Sequence, residues 1–333
     1  MKRIYNIYFS LEKYGGAELI LLSITEGLNK KNKFYISSFS FFRRAVNENY
    51  DIKENISYLK IRDIFKDSKN KIFLSHHRKI TSILFILKKI FFLKYALIHV
   101  AHNEFYSLKN ITFLPRNIIA VSKGVKSNLI NYFSIKEKDI VIIYNGTIDK
   151  NPNRELYFNK LNEIIKILYP ARINKVKNQI NLVTYLDNKL EKINIQFAGD
   201  GPQLDELTLI CKGKKSFTVL GYIKRIDELF KKVDYVLLYS KNEGLPTVLI
   251  EAFMYGKPVI CNSVGGNSEI VDNKINGFIC NKIERLPQLL NSLPKPGSEE
   301  YLSLCKNARS KYEEKFRFEI MINNYHDYLM RFI

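Results

Sequence analysis

Short runs of apolar residues alternate with stretches of helical period along this chain. Residues 4–9 read as a strand and residues 19–28 as the helix that follows it. Residues 71–75, 95–100, 118–122 and 141–146 repeat the strand signal, with helical stretches between them. The second half does the same at 165–172, 193–202, 217–223, 233–239 and 257–261. The run 233–239 is apolar almost throughout and is closed by Ser240, Lys241 and Asn242, the pattern of a strand covered on both faces. This rhythm predicts parallel sheets in an α/β protein. At 333 residues, and roughly 150 residues per domain, two domains are expected. Asn, Gly, Asp and Pro cluster in 145–153, which marks the linker. There is no repeat of solenoid period. Residues 316–333 read as an amphipathic helix.

Apolar residues make up 46% of the chain, enough for two cores. The charge changes the picture more. The net charge is +20, and residues 1–150 hold 26 Lys or Arg against 12 Asp or Glu, while the rest holds 27 against 21. A basic first half suits an anionic membrane surface, at ~1 kcal/mol per nearby Lys or Arg. A nucleic acid would also suit that charge, but no helix-turn-helix, zinc or RNA-binding sheet motif accompanies it. Cys211, Cys261, Cys280 and Cys305 lack metal-like spacing and read as packed, reduced thiols. Met1-Lys-Arg leads straight into the first strand, so no signal peptide is expected. No run reaches the ~20 apolar residues of a spanning helix. A cytoplasmic protein, peripheral on the inner face of the membrane, is therefore expected.

Residues 78–95 sharpen the membrane reading. Ile80, Ile83, Leu84, Leu87 and Phe91 recur at helical spacing and are expected to face the core. Phe85, Ile86, Phe92 and Leu93 would then need another partner, and Lys88, Lys89 and Lys94 stand beside them. A buried crossover helix explains one face, and an interfacial helix would explain the other.

The densest chemistry lies in Glu243-Gly-Leu-Pro-Thr-Val-Leu-Ile-Glu251, followed by Lys257-Pro-Val-Ile-Cys261 and Gly265-Gly-Asn-Ser-Glu269. Pro246 fits the first position of a helix over residues 247–255, which Gly256 would end. The first turn of that helix leaves free N–H groups, a seat for an anion. Glu243, in the loop before it, can accept hydrogen bonds from sugar hydroxyls, and Glu251 can hold a ribose diol. Gly265 and Gly266 allow close approach of backbone to a ligand. A ligand with a phosphate end and a hydroxyl-rich end fits this set, and a nucleotide sugar has both.

This stretch resembles the retaining glycosyltransferases of family 4, which have the GT-B fold. The resemblance rests on two glutamates separated by seven residues, then Gly-Lys-Pro-Val-Ile, Gly-Gly-x-x-Glu-Ile-Val and Asn276-Gly-Phe278. It implies two Rossmann-like domains with parallel sheets facing a deep inter-domain cleft. The expected division is an acceptor domain over 1–148, to which a helix at about 316–333 crosses back, and a nucleotide-sugar donor domain over 149–315. It also implies site residues. Glu243 and His102 would contact the transferred sugar as the catalytic pair. Arg172 and Lys177, with Lys175 as a nearby substitute, and Gly15 and Gly16 would hold the donor diphosphate. Glu243, Gly244, Leu245, Pro246 and Glu251 would bind sugar and ribose, and Tyr222 and Ile223 would lie beside the base. Fixed cations at the diphosphate stabilise the charge of the leaving group. His76 and His77 either line the cleft or end a strand, and His99 reads as packing.

There is no Asp-x-Asp in the chain, so no essential metal or cofactor is expected. The resemblance implies retention of anomeric configuration. No clear nucleophile for a double displacement is visible, which favours a front-face route. The expected activity is transfer of a hexose or N-acetylhexosamine from a nucleotide sugar, UDP being the expected nucleotide. The acceptor would be a saccharide, with a lipid-linked one expected, in bacterial surface polysaccharide synthesis such as capsule, O-antigen or lipopolysaccharide. A non-catalytic GT-B partner subunit and a nucleotide-sugar epimerase of the same shape are the rival readings.

Overall fold

The structure is a computed structural model that describes residues 2–11, 15–31, 35–41, 57–158 and 163–333. The chain divides into two compact units. Unit 1 is Met1–Gly146 with Phe318–Ile333, and unit 2 is Thr147–Arg317.

Unit 1 carries β1 (Arg3–Tyr8), β2 (Tyr35–Ser40), β3 (Ser57–Tyr58), β4 (Lys71–Ser75), β5 (Ala96–Ala101), β6 (Ile118–Ala120) and β7 (Ile140–Ile142). All pair in parallel, in the order β3-β2-β1-β4-β5-β6-β7. The strand order reverses between β1 and β4, and in such sheets ligands gather beyond the carboxyl ends at that point. Tyr5, Ile7, Phe39, Phe73, Ile80, Leu84, Tyr95 and Leu97 form a core cluster on one face. On this unit the helix Gly16–Lys30 lies against the terminal helix Phe318–Met330. A methyl group at Gly27 would stand 2.5 Å from Ile322 and 2.8 Å from Phe318, so the contact needs glycine there.

The helix expected over residues 78–95 runs Arg78–Ile90, and its buried face differs from the sequence expectation. Ile80 and Leu84 are buried, but so are Thr81 and Ser82, while Ile83 and Phe91 are exposed. The two hydroxyls turn inward because each finds partners. Thr81 donates to Ser75 Oγ at 2.9 Å, and Ser82 Oγ accepts the Phe113 N–H at 3.0 Å. Phe85, Leu87 and Leu93 pack against the core cluster. Ile83, Ile86, Ile90, Phe91 and Phe92 are left facing outward.

Unit 2 carries β8 (Ile165–Pro170), β9 (Ile193–Ala198), β10 (Phe217–Gly221), β11 (Tyr235–Leu238), β12 (Val259–Cys261) and β13 (Gly277–Ile279). They also pair in parallel, in the order β10-β9-β8-β11-β12-β13, with the reversal between β8 and β11. The helix after β11 spans Thr247–Met254, with Tyr255 as its C-cap. Pro246 is its N-cap with extended backbone (ψ 116°), one place earlier than the first helical position expected. All four cysteines are buried and unpaired.

Candidate active site

In unit 2 the loops after β8 and β11 meet across the switch point. Lys241 N–H donates to Val176 O at 2.8 Å, the Tyr169 hydroxyl to Lys177 O at 2.5 Å, and Tyr239 N–H to the Tyr169 hydroxyl at 3.0 Å. Asn174 Oδ1 accepts the N–H groups of Val176 and Lys177, both at 3.0 Å, which curls the first loop. The curl brings Lys177 Nζ to 2.6 Å from Glu243 Oε1. Glu243 is buried, its side chain 6% exposed, and Lys177 keeps 23%. A buried ion pair is weak evidence of stabilisation, because desolvation offsets the attraction. Its placement at the carboxyl ends of the switch-point strands marks a place for a ligand instead.

The glycine turn after β12 fixes Glu243 from the other side. Gly265 has φ +53°, and a Cβ there would stand 2.0 Å from the Glu243 carbonyl oxygen. Gly266 N–H donates to Gly244 O at 2.7 Å. Asn262 braces the same loop, accepting from Ser240 N–H at 3.2 Å and donating to Ser240 O at 2.7 Å. Leu245 is buried within it. Arg172 is exposed at the end of β8, and Gln179 donates to its carbonyl at 3.1 Å. Lys175, the substitute considered for Lys177, is also exposed. Glu251 is half-buried, and burial pushes its carboxyl up to about 7, with Lys150 opposing and Asp227 adding to the shift. Lys150 itself pairs with Asp227 at 2.8 Å. Tyr222 is exposed and Ile223 half-buried beyond β10, whose end is tied to the Gly199 turn by a 2.8 Å bond from Gly199 N–H to Gly221 O.

In unit 1, four of the chain's five histidines gather at the ends of β4 and β5. They line a cavity of about 220 Å³ with Tyr8, Arg78 and Phe105. His76 Nδ1 lies 2.7 Å from His102 Nε2. His99 Nδ1 lies 2.8 Å from Thr81 Oγ1 and 3.2 Å from Ser75 O. The His77 ring packs against Tyr8 and Phe9. Burial lowers all four: His76 falls well below the usual imidazole value, His77 and His102 to about 4, and His99 to about 3. All four are therefore neutral at physiological pH. Arg78 Nη1 donates to Ser107 O at 2.7 Å and stacks on Phe105. Gly15 caps the helix Gly16–Lys30, and its N–H is taken by Glu18 at 3.1 Å. Glu18 also holds the Tyr8 hydroxyl, which joins the glycine turn to the histidine cavity. Gly16 is the exposed first residue of that helix.

The family described as Glycosyl transferases group 1 matches residues 149–311. An uncharacterized glycosyltransferase of Methanocaldococcus jannaschii is 29% identical over 184 residues, 50% of this chain and 47% of that protein. HepE of Anabaena, solved in complex with UDP, superimposes with a TM-score of 0.82 at 18% identity over 99% of this chain and 100% of its own. Residues 149–311 are thus similar to that family, and the chain has the GT-B fold. A UDP-Gal:alpha-D-GlcNAc-diphosphoundecaprenol alpha-1,3-galactosyltransferase of Escherichia coli is 28% identical over 123 residues, 35% of this chain and 32% of that protein. The chain spans about half the length of the curated relatives it matches first.

In unit 2 the structure joins Lys177, Glu243, Gly244 and Gly265 in one place. Glu251 feels the charges of Lys150 and Asp227. In the GT-B unit before it, His102 takes part in a histidine cluster that sequence reasoning treated as separate residues. A usable signal was present: histidines follow β4 at 76 and 77, and stand within β5 at 99 and just after it at 102.

Proposed function

We propose that this protein is a retaining family 4 glycosyltransferase. It moves a hexose or N-acetylhexosamine from a nucleotide sugar, with UDP as nucleotide, to a saccharide acceptor. The observation that carries the proposal is the Lys177–Glu243 pair at 2.6 Å, held by three loops at the switch point of the matched domain. On donor binding Lys177 and Arg172 would turn to the diphosphate, a point charge and a planar fork. Glu243, fixed from behind by Gly265, would take sugar hydroxyls, and Glu251 the ribose diol. Departing phosphate gains charge as the glycosidic bond breaks, and cations already in place lower that barrier without reorganisation. The reading takes a front-face route, in which the leaving phosphate oxygen accepts the acceptor proton. The two cations fill the charge-neutralising role, so the reading includes no essential metal.

A panel of nucleotide sugars tested against thermal unfolding checks this. A bound donor stabilises by about 2.7 kcal/mol at a hundredfold excess over Kd. The right donor should raise the melting temperature of the wild type and not of Arg172→Ala. No shift with any nucleotide sugar would sink the proposal, and conversion of a donor without acceptor would favour an epimerase.

The proposal extends to a lipid-linked acceptor at the inner face of the bacterial membrane, within surface polysaccharide synthesis. Its support is the outer face of the helix Arg78–Ile90. Ile90, Phe91 and Phe92 are 61%, 53% and 87% exposed, next to exposed Lys79, Lys89 and Lys94. Apolar rings flanked by lysines are complementary to an anionic lipid surface. Flotation with anionic vesicles should carry the wild type upward. The double variant Phe91→Ser/Phe92→Ser should remain at the bottom, and equal flotation of both proteins would overturn this part.

A further inference from the structure

His76 directly follows β4 and is 4% exposed, one residue before the helix cap His77. Its contact with His102 has a definite geometry. The ring centroids are 5.0 Å apart, the planes differ by 23°, and the nitrogens are 2.7 Å apart. That centroid separation is close to the nitrogen contact plus one ring radius at either end. The two nitrogens therefore lie near the line joining the rings, in an in-plane hydrogen bond and not a face-to-face stack. Such a bond holds one hydrogen, so one ring donates and the other accepts.

The two remaining nitrogens decide the direction. His76 Nε2 is sealed from solvent and has no partner. A hydrogen there would be an orphaned buried N–H, the rarer defect. Without one, His76 carries its hydrogen on Nδ1 and donates to His102 Nε2. His102, being neutral, must then carry its own hydrogen on Nδ1. That atom makes no hydrogen bond with the described residues and is not among the sealed ones, and His102 lines the cavity. We infer that His76 is a positioning residue that locks His102 in the Nδ1–H tautomer, so that His102 meets its ligand as a hydrogen-bond donor to a hydroxyl oxygen and not as a base. This deepens the proposed function, since it assumes that His102 touches the sugar. Burial supports the lock, because neither ring takes a second proton near neutrality. Hydrogen-bond partners orient metal-bound imidazoles in the same way, and their removal there typically costs about 10–100-fold.

Two-bond 1H–15N spectra of the labelled, ligand-free protein read the tautomer directly. Both His76 and His102 should show a protonated Nδ1 and a bare Nε2. His76→Leu should release His102 toward a mixture of tautomers. His76→Asn, whose amide can donate from nearly the same place, should keep the wild-type pattern. In transfer assays His76→Leu should lower kcat about 10–100-fold, with KM for the donor changed less, and His76→Asn should restore most of it. A protonated Nε2 on wild-type His102, or a His102 spectrum unmoved in His76→Leu, overturns the inference. If Leu alone disrupts the fold, the Asn variant and the wild-type spectrum still decide. The spectra need no turnover, so a wild type with the expected tautomer but no transfer would sink the glycosyltransferase reading and leave this one standing.

Discussion

Replacing Glu243 with glutamine should slow sugar transfer by about 10²–10³-fold, the loss typical of removing one preorganised group at a site of developing charge. Two effects combine. The sugar loses a charged acceptor for its hydroxyls, and Lys177 loses the carboxylate that aims it, 2.6 Å away. The chain should stay folded. Glutamine keeps the shape of the buried side chain, and Lys177 retains 23% of its surface, so water takes over part of its solvation. A stability loss of about 1–2 kcal/mol is expected, below the 3–5 kcal/mol of a fully buried broken pair. Arg172→Ala should also cut transfer sharply, with little effect on stability because its side chain is exposed. Turnover and the urea midpoint, measured on the same preparations, separate the two effects. Near-normal turnover in either variant removes that residue from the site.

That prediction was available from the sequence because its signals are local. The turn Gly244-Leu-Pro246, the helix after it and the glycine pair at 265 each follow from a residue type and its neighbours. The βα rhythm likewise pointed to two parallel sheets, which are present. What was not legible depends on partners far away in the chain. Thr81 and Ser82 are polar residues on the inner face of a helix, and only the positions of Ser75 and Phe113 explain them. Periodicity therefore turned the helix the wrong way at Ile83 and Phe91. Nor was the pairing of Lys177 with Glu243 legible, because it depends on the Asn174 side chain curling the loop that carries both Lys175 and Lys177. His76 and His102 are 26 positions apart and meet because β4 and β5 pair in register, Ser75 opposite His99.

Acidification should shift the stability of the two units in opposite directions. Every histidine of the chain lies in unit 1. Unfolded imidazoles titrate near 6.5, whereas His102 and His77 fall to about 4 and His99 to about 3 in the fold. Between those values the unfolded chain binds protons that the folded one refuses, so stability falls as pH falls. The contribution is intact above about pH 6.5 and is lost by the time pH passes the folded values. Each such group costs about 1.4 kcal/mol per pH unit in that window. At pH 5.5, His99 and His102 together should therefore remove about 3 kcal/mol, against the ~5–15 kcal/mol that holds a typical domain. Unit 2 holds no histidine and contains Glu251, raised to about 7. Its folded form takes up a proton before the unfolded chain does, so unit 2 gains stability over the same range. Calorimetry at pH 7 and pH 5.5 should show a transition of unit 1 moving to lower temperature while that of unit 2 does not. Hydrogen exchange of β4 and β5 should speed up in step. In His99→Gln the pH dependence of unit 1 should shrink by about one proton. A unit 1 transition that stays put between pH 7 and 5.5 would mean that these imidazoles are solvated, and the neutral His76–His102 pair would fall with it.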